Sequence, residues 1–242
     1  LLEQHNLPGG YATSFVRGRF EFEPSLHELP DMPSIEAATG VVQYLKHQVE
    51  LDVEFARIPE AYRLILTDKG LNVRMPFGIP NFVDTVAEHV PGSRESVQAY
   101  MDLCTEVQDS FHYLNKHKDG LNYLDFIGHH RSFIGVGAAT MDQVAAKLGL
   151  PKTAQDLMYP YWCYLGVPSH RMSFPIWASL LYSYISAGAT IPKYRSHELA
   201  TAFVDKIESS GGSVWMNSRV ASIDAADGAV RGVTLEDGTQ IA

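Results

Sequence analysis

Residues 1–15 read LLEQHNLPGGYATSF, and this short stretch governs the interpretation of the whole chain. Its apolar pair ends in Glu3, and a proline-led glycine pair follows at 9–10. In a dinucleotide-binding βαβ unit, the second strand ends in an acidic residue whose carboxylate accepts hydrogen bonds from ribose hydroxyls. A glycine pair lets backbone amides approach a pyrophosphate closely. The same residues also fit an exposed strand end followed by a tight turn.

Length and composition exclude several classes of protein. With 242 residues, of which 45% are hydrophobic, the chain can bury the core of one large domain or of two small ones. The net charge of -9 and the absence of any Lys/Arg run give no hold on phosphate backbones, so a nucleic-acid partner is not expected. Cys104 and Cys163 have no CxxC spacing, which argues against a disulfide framework or thiolate zinc site and fits a reducing cytoplasm.

Membrane attachment has little support in the sequence. The uncharged run at 174–191 just reaches the length needed to span hydrocarbon, but it contains several hydroxyl side chains and lacks basic flanks. It therefore predicts a buried helix. Peripheral membrane contact would suit a lipid-like substrate, although no amphipathic basic helix supports it. The sequence gives no indication of oligomeric state.

Hydrophobic periodicity and turn residues predict the order of helices and strands. A short strand is predicted at 17–23, and a hairpin at 61–76 with Gly70 in its turn. The region 120–137 is predicted to be a loop because glycines interrupt its aromatic residues. The remaining predictions are helices at 34–48 (capped by Ser34), 93–118, 140–148, 153–165, 174–187 and 196–210 (capped by Ser196), and strands at 213–217, 219–224 and 230–236.

Strands thus stand at both ends of the chain, and the middle is mostly helical. This order is typical of a domain inserted into an α/β host whose sheet is assembled from both flanks. We therefore expect residues 1–25 and 195–242 to be parts of one α/β unit, and residues 26–194 to form a substrate-binding helical domain.

A resemblance to a known family supports this interpretation. The run LLEQHNLPGGYATSFVRGRFEFEPSLHEL at 1–29 resembles the segment after the first βαβ hairpin in the FAD-dependent phytoene desaturase, carotenoid isomerase and retinol saturase family, within the flavin amine oxidase superfamily. The block GATIPKYRSHELATAFVDKIESSGGSVWMNSRVASIDAADGAVRGVTLEDGTQI at 188–241 is similar to a second block of that family. The resemblance implies a partial FAD/NAD(P)-binding Rossmann-like α/β domain with a large, mainly helical inserted domain that contains a β-hairpin.

The resemblance also implies roles for particular residues. Glu3 would bind the adenosine ribose of FAD, with Gln4 nearby. Gly9 and Gly10 would lie under the pyrophosphate, and Val220 would meet the adenine edge through its main chain. Because the glycine-rich GxGxxG unit and the C-terminal portion of the family are not in this sequence, we expect the chain to be a piece of a longer flavoprotein. By itself, such a piece would neither retain FAD nor be active.

Several positions depart from the family pattern. Tyr11, among the cofactor-contacting positions, stands where relatives often have arginine, and Ser25 stands where many have glycine. Tyr194 and Arg195 replace a glycine pair, so two large side chains stand where relatives allow close backbone approach. These departures indicate a divergent subfamily or an altered substrate.

Few side chains are catalytic candidates. His27 matches a histidine of some retinol-saturase-like relatives and could act as a general acid, although a structural histidine fits as well. The run at 129–131, His-His-Arg, lacks a third ligand at useful spacing, so no metal site is predicted. An aromatic cluster could line a tunnel for a long apolar substrate or simply pack in the core; it comprises Tyr159, Tyr161, Trp162 and Tyr164.

The resemblance therefore implies a FAD-dependent oxidoreductase that acts on carbon-carbon bonds of an apolar polyene or isoprenoid-like substrate. A flavin amine oxidase-like enzyme is an alternative, with Trp162, Tyr164 and Arg171 as substrate contacts. A cofactor-free interaction module on a degenerate flavoprotein scaffold is another. Flavin chemistry places few demands on side chains, which agrees with the lack of a hydrolytic triad or carboxylate pair.

Overall fold

A computed structural model describes residues 1–24, 26–30 and 41–242, with only the backbone of 41–43. Ser25, the Ser34 cap and the first half of the helix predicted at 34–48 lie outside the described residues. The chain divides into two compact units. Of the described residues, the first unit holds 1–24, 26–29, 41–57 and 190–242, and the second holds 30 and 58–189. The assignment of residues 1–25 and 195–242 to a FAD-binding domain stays a prediction.

The first unit is built from short strands and two helices. Its elements are β1 (Phe15–Arg17), β2 (Phe20–Phe22), β3 (Leu29–Pro30), α1 (Val41–His47), β4 (Phe55–Arg57), β7 (Ala189–Pro192), α9 (Ser196–Ser209), β8 (Val220–Ala226), β9 (Ala229–Leu235) and β10 (Gln240–Ile241). The hairpin β1–β2 begins the unit, a three-stranded antiparallel sheet ends it with the order β10-β9-β8, and a further sheet has the order β3-β7-β4. Within the described residues, the chain passes from one unit to the other within β3, directly after β4 and within β7.

The second unit is helical apart from one hairpin, as the sequence predicts for its middle region. Its elements are β5 (Tyr62–Leu66), β6 (Leu71–Met75), α2 (Ile79–His89), α3 (Arg94–Lys116), α4 (Tyr123–His129), α5 (Arg131–Val136), α6 (Met141–Lys147), α7 (Lys152–Met158), a 3₁₀ helix (Pro160–Tyr164) and α8 (Phe174–Ala187).

The core of the second unit surrounds α3 and α8. Their sequences place apolar residues at spacings of three and four, so each helix presents a continuous buried face. Trp177 on α8 and Tyr100 on α3 are fully buried, and the Trp177 indole donates a hydrogen bond of 2.9 Å to the Tyr100 hydroxyl. Helix α8 has only 14 residues, and among the described residues no helix is long and apolar enough to cross a membrane.

Many of the predicted elements are confirmed. The 61–76 hairpin pairs Tyr62 with Met75, and Gly70 has the positive φ of 62° that its turn requires. The long helix at 93–118 is α3, and the helix after Thr140 is α6. Thr140 forms a capping box with Gln143, in which each side chain accepts a hydrogen bond from the other residue's backbone amide.

Other predictions are wrong. Residues 17–23 do not form one strand, because Gly18, with a φ of 61°, turns the chain between β1 and β2. The region 120–137 is not a loop but holds α4 and α5, and the Asn122 side chain caps α4 by accepting hydrogen bonds from two backbone amides. The predicted strand at 213–217 is reduced to one bridge at Trp215, and the third strand of the C-terminal sheet is β10.

Candidate functional site

The first residues of the chain lie beside the segment that follows α9. Leu2 and Trp215 form a parallel bridge, in which the Glu3 amide donates to the Trp215 carbonyl and the Trp215 amide donates to the Leu1 carbonyl, both at 2.9 Å. The Ser218 amide donates to the Glu3 carbonyl at 2.7 Å. Two segments more than 200 residues apart in sequence therefore pair through their backbones and form one edge of the unit. The predicted FAD-binding unit requires such a pairing of the two ends of the chain.

The Glu3 carboxylate is held at the end of this edge by a local turn. Its Oε1 atom accepts a hydrogen bond of 2.7 Å from the His5 amide, and His5 Nδ1 accepts one of 3.3 Å from the Leu7 amide. Glu3 is half-buried, whereas Gln4 is exposed. Among the described residues, no group donates a hydrogen bond to the other carboxylate oxygen, Glu3 Oε2. That oxygen could therefore accept a hydrogen bond from a ligand.

The two glycines of the pair have different surroundings. Gly9 has a φ of 106°, and a Cβ there would lie 2.7 Å from the Ala12 carbonyl oxygen and 2.8 Å from Ala200 Cβ on α9. Protein packing therefore requires glycine at this position. Gly10 has a φ of 57°, and no atom lies within 4 Å of the place its Cβ would take. The backbone of Gly10 is thus open, as a phosphate-binding role would need.

The N-terminus of α9 is capped by a carboxylate from the first hairpin region. Glu23 Oε2 accepts a hydrogen bond of 2.9 Å from the Ser196 amide, and Glu23 Oε1 accepts one of 2.7 Å from the Ser196 hydroxyl. The predicted cap was Ser196 itself, but the cap position belongs to Arg195, whose side chain makes no cap hydrogen bond. A negative charge at this end also complements the helix dipole.

Arg195 has a backbone conformation that suits glycine. Its φ of 81° and ψ of 176° fall in a region that is essentially restricted to glycine and costs other residues of order 1–3 kcal/mol. Its guanidinium pairs with Glu21, which also accepts a hydrogen bond of 2.6 Å from the Ser14 hydroxyl. The chain therefore keeps a glycine-type backbone where the family pattern has glycine but carries an arginine there.

The other predicted site residues are placed as follows. Val220 begins β8 opposite Leu235 and is exposed, two residues after the Ser218 contact with Glu3. Tyr11 is 94% exposed, and His27 is also exposed. The structure thus brings Glu3 next to the segment that leads into Val220, and it separately packs Gly9 against Ala200 of α9. The roles of all these residues toward FAD stay predictions.

The predicted aromatic cluster does not line one cavity. Tyr161 is buried, its ring stacks on Tyr184 with centroids 4.7 Å apart, and its hydroxyl donates a 3.1 Å hydrogen bond to the Ala61 carbonyl. Trp162 instead lines a cavity of 420 Å³, and Tyr159 contributes to the lining of the same cavity. Tyr161 therefore packs in the core, and a role of the other members in the wall of a substrate tunnel stays a prediction.

An apolar groove that the sequence did not predict lies on α8. Its volume is 560 Å³, and the hydroxyls of its two serines already donate to protein acceptors: Ser179 to Gln108 Oε1 and Ser183 to the Ser179 carbonyl, both at 2.7 Å. The surface offered to a ligand is therefore apolar in character. The other lining residues are Pro30, Phe111, Leu165, Ile176, Leu180 and Tyr184.

Polar clusters elsewhere in the second unit do not form a metal site. The His129 ring contacts the Asp125 carboxylate at 3.1 Å, whereas the His130 ring contacts the Ser110 hydroxyl at 2.8 Å, so the adjacent histidines serve different partners. A hydrogen bond from Tyr113 lowers the pKa of Asp125 and raises that of Tyr113 itself. Among the residues that the structure describes, no three His, Cys, Asp or Glu side chains could hold a metal ion.

Comparisons with known proteins support the fold. No protein-family model matches the sequence, and no curated protein matches it. Among solved structures, an oxidoreductase from Methanosarcina mazei has a TM-score of 0.57 at 17% identity over 98% of this chain and 49% of its own. A Rab GDI from Plasmodium falciparum has a TM-score of 0.50 at 13% identity over 99% of this chain and 57% of its own. The chain thus spans about half the length of these proteins.

These likenesses confirm the predicted fold class. The chain is a mixed α/β protein with a partial Rossmann-like scaffold, and its fold is similar to the folds of these two structures. They do not support the phytoene desaturase family in particular, and one structure is described as an oxidoreductase while the other is described as a Rab GDI.

Proposed function

We propose that this chain is part of a FAD-dependent oxidoreductase that acts on carbon-carbon bonds of an apolar polyene or isoprenoid-like substrate. The observation that carries the proposal is the edge formed by Leu1–Glu3 and 215–218. It joins an acidic strand end to the segment that leads into β8, and the glycine pair belongs to the same unit. The oxidoreductase-type scaffold supports the same class of activity.

The residues present fit the adenosine end of FAD. Glu3 retains an oxygen that could accept from a ribose hydroxyl, and the backbone of Gly10, where the space of a Cβ is unfilled, could face the pyrophosphate. Val220 would contribute main-chain contacts to the adenine. FAD, when bound, would supply the redox chemistry by taking or giving a hydride. The protein's own task would be to orient the cofactor and to keep the reacting bond away from water.

The substrate class rests on the groove on α8. Since its serine hydroxyls are already engaged as donors, a ligand there would gain by burying apolar surface rather than by hydrogen bonding. A polyene or isoprenoid chain has this chemistry. An amine substrate would need an aromatic cage and a polar anchor, for which the sequence offered Trp162, Tyr164 and Arg171. Of these three residues, only Trp162 lines either of the two cavities described above.

The cofactor can be tested with the protein at its natural full length. We expect purified protein to be yellow and to show flavin absorption bands. Glu3→Ala should weaken FAD binding by about 1.5–3 kcal/mol, the usual loss for hydrogen bonds to a charged group. Glu54→Ala is the matched control, because Glu54 is an exposed glutamate of the same unit that pairs with Lys193. Colourless protein that does not respond to added FAD would contradict the proposal.

The substrate class needs a separate experiment. The flavin-loaded protein should be reduced by members of a panel of polyenes and not by primary or secondary amines, as followed by bleaching of the flavin band. Turnover of amines without turnover of polyenes would favour the amine oxidase alternative and overturn the substrate assignment.

A cofactor-free interaction module is the second candidate. It is favoured by the likeness to a Rab GDI and by Arg195, which stands where the family pattern has glycine. Replacing Tyr194 and Arg195 together with glycine distinguishes the two candidates. If the scaffold has lost its flavin, this variant should bind FAD no better than the wild type, and neither protein should be yellow.

A further inference from the structure

The first hairpin has one face made almost entirely of aromatic rings and arginine. In an antiparallel pair, residues directly opposite each other point to the same side. Phe15 pairs with Phe22, and Arg17 pairs with Phe20, so these four residues form one side, here named the aromatic face. The Phe15 and Phe22 rings stack with centroids 5.2 Å apart.

The opposite side of the hairpin makes polar contacts with the rest of the protein. It carries Val16 and Glu21, which pair with each other across the two strands. Glu21 binds the Arg195 guanidinium and the Ser14 hydroxyl, so this side is fixed by polar contacts. The aromatic face is left open: Phe15, Phe20 and Phe22 are 41%, 57% and 46% exposed. A group of exposed phenylalanines of this kind marks an interaction surface.

The charge of this surface limits what can cover it. The Arg17 guanidinium lies 4.9 Å from the Phe15 ring centroid, and that of Arg19, in the turn, lies 5.0 Å from the Phe20 centroid. Within the described part of the chain, neither arginine forms an ion pair with a carboxylate. A positive patch therefore stands on a chain whose net charge is -9.

We infer that the aromatic face docks onto an anionic lipid surface. Aromatic side chains favour the boundary between headgroups and acyl chains, and arginine binds lipid phosphate with a planar fork of donors. A second copy of the chain fits less well, because a symmetric pairing would bring like charges together. This inference rests on the hairpin alone and goes beyond the proposed flavin chemistry.

Vesicle sedimentation tests the inference. The full chain should bind phosphatidylcholine vesicles that contain phosphatidylglycerol and should not bind pure phosphatidylcholine, and binding should fall as salt is added. Arg17→Ala with Arg19→Ala should lower the partition coefficient about thirty-fold, since each basic residue near an anionic surface contributes on the order of a factor of five. Phe20→Ser should lower it about tenfold or more.

The second hairpin supplies the matched controls. Arg63→Ala with Arg74→Ala removes the same charge from β5 and β6, and Ile65→Ser removes an exposed apolar residue; both should leave binding unchanged. Equal loss in these controls, equal binding to neutral vesicles, or no binding by the wild type would overturn the inference. Concentration-dependent dimerisation that Phe20→Ser abolishes would also overturn it, because a second copy would then cover the face. The salt titration uses the wild type alone, so it does not depend on the folding of any variant.

Discussion

The two hairpins of this protein have similar local patterns and opposite environments. In β5–β6, one side carries Tyr62, Leu64, Val73 and Met75, which pack in or against the core of the second unit. In β1–β2, the corresponding apolar side is the aromatic face, which is exposed. Alternation along a strand therefore shows which side is apolar, but it does not show what covers that side.

The two hairpins are also held in place differently. The hairpin β5–β6 is fixed by burial, and the Tyr62 hydroxyl adds a 2.7 Å hydrogen bond to the Leu157 carbonyl. The first hairpin is fixed by carboxylates: Glu21 binds Arg195, and Glu23, just after β2, caps α9. Two-stranded hairpins are only marginally stable without a packed face. We therefore expect core mutations to matter most in one hairpin and charge mutations to matter most in the other.

The largest expected effect tests whether burial of apolar side chains holds the hairpin β5–β6 in place. Met75 is fully buried, and Met75→Ala should lower the free energy of unfolding by about 2–5 kcal/mol through lost burial and a residual cavity. Phe20→Ala, on the aromatic face, should change it by no more than about 0.5 kcal/mol. Chemical denaturation followed by circular dichroism measures both. Equal losses would mean that the aromatic face is covered within the folded chain.

The sequence could predict β5–β6 because all its signals are local. Alternating apolar residues flank Gly70, and the positive φ of that residue closes the turn. The same holds for α6, whose capping box spans only Thr140 to Gln143. Local patterns failed for α4 and α5, because these helices are short and contain glycines that no backbone contact requires.

The candidate site could be predicted only in part from the sequence. Glu3 and the glycine pair were recognised because their spacing resembles that of a family. The Glu23 cap was missed, since 173 residues separate it from Ser196 and no local pattern connects a hairpin carboxylate to a distant helix. The groove on α8 was missed for the same reason: its lining comes from several elements, and the helical periodicity of α8 alone indicated only burial.

The next largest effect tests whether carboxylates hold the first hairpin in place. Glu23→Ala removes the cap of α9 and should lower the free energy of unfolding by about 1–2 kcal/mol, because the Ser196 amide and hydroxyl lose their acceptor. The control is Glu54→Ala, which breaks an exposed ion pair with Lys193 and should cost less than about 1 kcal/mol. An unchanged unfolding curve for Glu23→Ala would show that this carboxylate does not hold the first hairpin region to α9.

Arg195 should give a smaller effect of opposite sign. Arg195→Gly relieves a backbone conformation that costs of order 1–3 kcal/mol, and it loses one exposed ion pair worth less than about 1 kcal/mol. We expect a net gain in thermal stability. Tyr194→Gly, at the neighbouring residue without a positive φ, should instead destabilise the protein by about 0.5–1 kcal/mol. If both variants are destabilised, the ion pair between Arg195 and Glu21 stabilises the protein by more than the strained backbone of Arg195 destabilises it.

The smallest effect concerns the ion pair that links the second hairpin to α7, and this effect depends on pH. Asp156 on α7 pairs with Lys69 in the β5–β6 turn and with Lys152. Burial raises the pKa of Asp156, but the hydrogen bonds from the two lysines outweigh it and lower the pKa overall. The stabilisation should therefore be complete above the unfolded pKa of about 3.9 and be lost as the pH falls through the lower folded value.

Replacing Asp156 isolates this contribution. At neutral pH, Asp156→Asn should lower the free energy of unfolding by less than about 1 kcal/mol, as expected for partly exposed ion pairs. The difference from the wild type should begin to shrink as the pH falls below the unfolded pKa of about 3.9, and it should vanish as the pH passes through the lower folded pKa of Asp156. Asp68→Asn in the same turn controls for removal of a negative charge. A constant difference across the pH range would show that Asp156 acts through packing, and β5–β6 would then depend on burial alone.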